Sequence, residues 1–373
     1  MIFKNCTFYN EFFEQEFGDI EVQNGKITKI GVLGENENTK DMSGLILIPG
    51  MIDVHIHGCG GGDCCDADKN SLDKITKELA RHGVTSFCAT TMTLPAKRLE
   101  HIASVISNYK STGSKIAGIN LEGPFIAMSK KGAQNGEYVV PGKIEAFDRI
   151  NTASNNTVKL ITVAPEAFDS DEFIENVSKK CAVSIGHSGA DAQQCQKAVD
   201  LGARHATHLY NAMTPMSHRE AGVAGTVLDN ENVMCELICD GGHVCPAVLR
   251  NTFKILGEDR AVAVSDSMRG AGLGEGEFEL GGQSVFVKKD GKYALLEDGT
   301  IAASITNLHS EFKNLLDFGI DFKTALKACT INPAKAIKED DKIGSIAVGK
   351  CADLVFLDKD LEIKEVYIDG ILA

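Results

Sequence analysis

The first fifty residues alternate apolar and polar positions in short bursts: Ile2-Phe3, Thr7-Phe8-Tyr9, Ile20-Glu21-Val22 and Lys26-Ile27-Thr28-Lys29-Ile30, with Gly25 as a turn residue. A period of two puts the apolar side chains on one face, so these segments predict half-buried antiparallel strands. The same texture returns in Ala352-Asp353-Leu354-Val355-Phe356-Leu357 and Ile363-Lys364-Glu365-Val366-Tyr367-Ile368. Neither group is large enough for a stable sheet alone. Together they predict one small β-sandwich built from both chain ends, residues 1–50 and 341–373.

Between them, over residues 51–340, the pattern changes. Compact apolar runs recur, usually at roughly 30-residue intervals, with helix-like stretches between most of them. They are Met51–Ile56, Val84–Ala89, Lys115–Leu121, Val158–Val163, Ala182–Ile185, Ala203–Thr207, Val233–Cys239 and Ala261–Ser265. Strands that are apolar throughout are buried on both faces, as in a parallel sheet covered by helices. Eight of them alternating with helices predict an α/β fold, a TIM-like (β/α)8 barrel.

The reactive residues fall in a pattern of their own. His55, His57, Glu122, His187, His208 and Asp266 all sit at, or just beyond, the C-terminal end of one of these runs. In a barrel those ends converge on one rim, so residues distant in sequence become neighbours. All six are of metal-ligand type. In His55-Ile56-His57 the two imidazoles share one face of a strand and point into the barrel mouth, while Ile56 packs outward. A pair of neutral imidazoles suits zinc or a similar divalent ion.

Composition narrows the function. Of the 373 residues, 43% are hydrophobic and 24% charged, an ordinary balance for a soluble enzyme. No apolar run approaches the roughly 20 residues that span a bilayer, so no membrane partner is expected. The start, Met1-Ile2-Phe3-Lys4-Asn5-Cys6, lacks the basic and apolar segments of a secretory signal. The 12 cysteines are scattered, and Cys88, Cys181, Cys235 and Cys239 lie in strand-like runs, where reduced cysteine acts as a small core residue. A cytoplasmic location is expected. Cys59, Cys64 and Cys65 have no second pair at zinc-ribbon spacing and read as structural, and Gly58–Asp63 reads as a flexible loop at the mouth. The net charge of −14 argues against nucleic acid as a partner. A small anion would need a local nest of donors instead.

Pro49-Gly50-Met51-Ile52-Asp53-Val54-His55-Ile56-His57 resembles the first barrel strand of the amidohydrolase superfamily. Leu121-Glu122-Gly123-Pro124-Phe125, Gly186-His187-Ser188, Thr207-His208-Leu209-Tyr210-Asn211-Ala212-Met213 and Val264-Ser265-Asp266 resemble its N-acetylglucosamine-6-phosphate deacetylase branch. The closing Gly344-Ser345-Ile346-Ala347-Val348-Gly349-Lys350-Cys351-Ala352-Asp353-Leu354 is similar to the superfamily's return strand into the β-module. The likeness runs the whole length, in order.

The resemblance implies that Glu122, His187 and His208 bind the principal metal and leave a position for water, an open catalytic site rather than a closed structural one. Some relatives lack the H-x-H pair and use one metal. Retention of His55 and His57 makes room for a second, bridged by Glu122. The expected cofactor is therefore one or two divalent cations per subunit, zinc ahead of iron or manganese. Asp266 is implied as the proton shuttle, taking a proton from water and giving it to the amide nitrogen. Asp53 reads as an anchor behind the site. The sugar phosphate is assigned to Ala133, Asn211, Ala212, Arg219 and His243, with Ile301, Ala302, Ala303 and Ser304 near the sugar. Arg219 suits paired hydrogen bonds to phosphate, and the backbone of Asn211 and Ala212 adds neutral donors. Gln134 stands where some members have a carbonyl-polarising histidine. A homodimer completing the phosphate pocket is implied too.

Three readings compete with hydrolysis of N-acetyl-D-glucosamine 6-phosphate. One is a deacetylase for the galactosamine epimer, one another amidohydrolase acting on a different amide, and one a non-catalytic scaffold. The deacetylase-type blocks weigh against the second, and the filled ligand positions against the third.

Overall fold

The computed structural model describes residues 1–168, 171–288 and 291–373. Its centre is one sheet of eight parallel strands: Met51–Ile56, Val84–Thr91, Lys115–Glu122, Val158–Val163, Ala182–Ile185, His205–Ala206, Met234–Leu237 and Ala261–Ala263. Each pairs with the next in chain order. The first two are buried at every position, as both-face burial under helices demands. The helices between them are amphipathic. Lys69–Arg81, for example, is capped by Asp68 and buries Leu72, Ile75 and Leu79.

The barrel closes between its first and last strands through a seam rather than a full ladder. The amide of Asp266 donates to the carbonyl of His55 at 2.9 Å, and those of His57 and Gly58 donate to the carbonyl of Ser267 at 2.9 and 3.1 Å. Beneath these bonds the buried Asp53 carboxylate accepts from the Ser265 hydroxyl at 2.5 Å and the Ser265 amide at 3.3 Å. Burial pushes Asp53 up to about 6, against the pull of these hydrogen bonds.

Both chain ends contribute to a second sheet of eight strands. Ile2–Tyr9 lies at its heart, paired with Gln15–Gln23 on one side and Ile46–Pro49 on the other, and Ile46–Pro49 pairs in turn with Leu354–Leu357. Its far edge, Lys26–Gly31, bridges back to Cys351. The two halves enclose a separate core of Phe3, Phe8, Ile20, Ile27, Phe356 and Tyr367, the sandwich arrangement that the terminal alternation predicts.

Two features depart from the sequence reading. The glycine-rich Gly58–Asp63 stretch is a tight hairpin with strands Gly58–Cys59 and Gly62–Asp63, not a loose loop. A Cβ on Gly58 would collide with the Gly62 carbonyl oxygen, so glycine is required there. In addition, a four-stranded antiparallel meander, Gly276–Leu280, Gln283–Val287, Tyr293–Leu295 and Ile301–Ser304, is inserted before the helix Leu308–Asp317. Its last strand runs back to the barrel mouth, where the Ser304 amide donates to the Asp266 carbonyl at 2.8 Å. Among the described residues no helix is long and apolar enough to cross a membrane.

Candidate active site

At the C-terminal rim the strand ends turn sharply. His187, His208 and Asp266 all have positive φ (47°, 26° and 46°), a costly conformation for residues with a Cβ that surrounding contacts must hold in place. The turn swings each side chain inward over the barrel axis.

Two donor clusters result, joined by one carboxylate. Glu122 Oε1 lies 3.0 Å from His187 Nε2 and 3.1 Å from His208 Nε2. Glu122 Oε2 lies 3.2 Å from His57 Nε2, which is 3.3 Å from Asp266 Oδ1. His55 Nε2 completes the second cluster at 3.5 Å from both Glu122 Oε1 and Asp266 Oδ1. All six side chains are buried. The Gln134 amide caps the bridge from outside: Nε2 donates to Glu122 Oε2 at 2.5 Å while Oε1 accepts from the Thr93 amide at 2.6 Å.

The electrostatics call for positive charge. Burial alone would raise Glu122, yet His55, His187 and His208 pressed against it hold it well below the usual carboxylate range. Burial likewise opposes ionisation of His57, but Asp266 and Glu122 push it up to about 9. The ring nitrogens of His187 and His208 face each other at 3.0 Å. His187 Nδ1 is bound to the Lys130 carbonyl at 2.8 Å, so its Nε2 presents a bare lone pair. His55 Nε2 is buried with no hydrogen-bond partner. Facing lone pairs of this kind repel unless a cation lies among them. Tetrahedral coordination at about 2.0–2.1 Å separates donor atoms by about 3.3 Å, close to the spacings found. The residues fit divalent cations.

Above the clusters opens a cavity of about 390 Å³, within the range of small-molecule sites. Of the residues assigned to substrate from sequence, Ala133, Gln134, Asn211, Ala212, His243, Ile301 and Ala302 line it. Ala303 and Ser304 do not. Both are buried, and the Ser304 hydroxyl donates to the Ser265 carbonyl at 2.5 Å, which places it behind Asp266. Arg219 lies on an exposed turn away from the lining. His243 is oriented by Asp240, whose Oδ2 takes a hydrogen bond from Nδ1 at 2.7 Å and whose Oδ1 accepts the amides of Gly242 and His243.

Two contributors escape the sequence reading. Lys130 lines the cavity, and the basic pair Lys130-Lys131 beside the substrate segment is the signal that points to it. Glu236 stands inside the seventh strand and pairs with His55 Nδ1 at 2.9 Å. Its signal is a lone charge within the apolar run Val233–Cys239.

A model of the amidohydrolase family matches residues 46–372. The N-acetylglucosamine-6-phosphate deacetylase of Bacillus subtilis (strain 168) is 36% identical over 93% of this chain and 90% of its own. The N-acetylgalactosamine-6-phosphate deacetylase of Escherichia coli O157:H7 is 30% identical over 95% and 94%. The crystal structure of N-acetylglucosamine-6-phosphate deacetylase from Pasteurella multocida superposes with a TM-score of 0.92 at 30% identity, covering 100% of this chain and 99% of that one. The chain belongs to the amidohydrolase family and, within it, to the N-acetylglucosamine-6-phosphate deacetylases.

Proposed function

We propose that the protein hydrolyses N-acetyl-D-glucosamine 6-phosphate to D-glucosamine 6-phosphate and acetate, a step of amino-sugar catabolism. The observation that carries this reading is the pair of donor clusters bridged by Glu122 on the floor of the cavity. Glu122, His187 and His208 would hold one divalent cation, and His55, His57 and Asp266 would contribute a second position. Bound there, such a cation supplies Lewis acidity to water and to the amide carbonyl.

The chain's own groups do the rest. Burial would raise Asp266, but His55 and His57 hold it below the usual range, so it is ionised and ready as a base. It accepts a proton from the attacking water and passes it to the amide nitrogen as the C–N bond breaks. Gln134 holds Glu122 in place. His243 and Lys130, with the backbone at Asn211 and Ala212, offer donors to the phosphate, and Arg219, on an exposed turn outside this lining, is a further donor assigned to it. Ile301 and Ala302 cover the sugar. Zinc suits the imidazole-rich donor set, ahead of iron or manganese.

The homodimer draws support from a groove of about 420 Å³ beside His243, where the apolar side chains of Met216, Val248 and Ile255 are exposed. The cytoplasmic location draws support from the free cysteines, eleven of the 12 of them at least partly buried. Acetate release from the two 6-phosphate epimers tests the reading. The gluco substrate should give the higher kcat/KM, and chelation should abolish turnover. Absence of turnover on both would sink it, and preference for the galacto epimer would move the chain to the alternative specificity.

A further inference from the structure

Glu236 is fully buried in the seventh strand, between Cys235 and Leu237. A carboxylate in such a place is retained only with strong partners. One oxygen, Oε2, receives two hydrogen bonds: from His55 Nδ1 at 2.9 Å and from the backbone amide of His208 at 3.0 Å. The first bond commits Nδ1 to Glu236. A carboxylate only accepts, so Nδ1 keeps a proton, and Nε2, aimed at Glu122 and Asp266, is the nitrogen left for a cation that displaces any proton there. The second bond steadies His208 in its left-handed conformation. His205, the other imidazole nearby, stands 3.6 Å from Oε1 and is bound to the Ser184 hydroxyl at 3.1 Å. A single oxygen therefore fixes a ring of one donor cluster and the backbone of the other.

We propose that Glu236 is the positioning residue of the second cation position, holding His55 ready to bind through Nε2. It touches neither substrate nor ion and acts through His55. The inference rests on the two-cluster reading above. Partners that orient a metal-binding imidazole typically contribute 10–100-fold in affinity.

The test is stepwise zinc binding to the metal-free protein in competition with a chromogenic chelator. His55→Ala and His187→Ala assign the two steps. The unmodified protein should bind two ions. Glu236→Gln keeps the acceptor oxygen and loses the charge, and should weaken the His55 step about 10-fold. Glu236→Leu should weaken it about 100-fold. The His187 step in Glu236→Gln should stay within about 3-fold, because the clamp on the His208 amide survives. A thermal melt shows that Glu236→Gln is folded, and this variant decides alone if Glu236→Leu does not fold. An unchanged His55 step, or both steps weakened by the same factor, overturns the proposal. An unmodified protein that binds fewer than two ions overturns the two-cluster reading itself, before any variant of Glu236 is measured.

Discussion

Buried carboxylates in this protein meet opposite fates according to what faces them. Asp266 is surrounded by imidazoles and kept ionised. Asp266→Asn keeps its shape and loses its basicity, so kcat should fall about 10²–10⁴-fold, while metal analysis should still find the ion of the Glu122, His187 and His208 cluster. Glu311 lies in the helix Leu308–Asp317 with no solvent contact, and neither of its oxygens has a hydrogen-bond partner. Burial, and then the like charges of Asp240, Asp53 and Asp266, push it well above the usual range. In the window between its unfolded and folded values the native state holds a proton that the unfolded chain has released. Its contribution to stability is therefore present at low pH and lost as pH rises through the folded value. Glu311→Met should remove that loss and make the protein more stable at pH 8 by about 1–3 kcal/mol, with a smaller gain at pH 5. Denaturant titrations at both pH values read the difference. The rim residues were legible because strand ends carry a recognisable alternation into polarity. Glu236 and Gln134 were not legible as supports, because their partners His55 and Glu122 are set by three-dimensional closure rather than by local pattern.

At the level of elements, apolar runs located all eight barrel strands; six of the runs begin where the strands do, and three of these, Met51–Ile56, Val158–Val163 and Ala182–Ile185, also end there. The sixth, expected over Ala203–Thr207, shrinks to His205–Ala206, because the chain must turn early to bring His208 inward. The antiparallel meander was not anticipated. Its strands are short, yet Phe278 and Leu280, then Val285 and Val287, alternate around Gly281-Gly282, a hairpin signal that the search for buried barrel strands passed over. Strand ends also depend on small residues. A Cβ on Gly186 would lie 2.6 Å from Thr207 Cβ and 3.0 Å from Thr162 Cγ2, side chains already tied together by a 2.8 Å hydrogen bond. Gly186→Ala should cost about 1–3 kcal/mol of stability and displace His187, lowering kcat and melting temperature together.

Across the whole molecule, two cores share one chain. The sandwich needs both ends of the sequence, and the barrel needs its first and last strands to meet. Cations bound at the rim would bind the folded state alone. At free concentrations about 100-fold above Kd, each contributes about 2.7 kcal/mol. Removal by a chelator should therefore lower the melting temperature by several degrees, and readdition should restore it. An unchanged melt would mean that the clusters hold no ion in solution.

The seam between the first and last strands also sets a date. Asp53 and Ser265 are 212 residues apart, so a chain emerging from the ribosome presents His55 and His57 long before Asp266 is made. Until the eighth strand arrives, those imidazoles can face Glu122 but not Asp266. Occupation of the second position thus reports a completed ring, and a nascent fragment that stops short of Asp266 lacks the one ligand of that ion that the eighth strand brings.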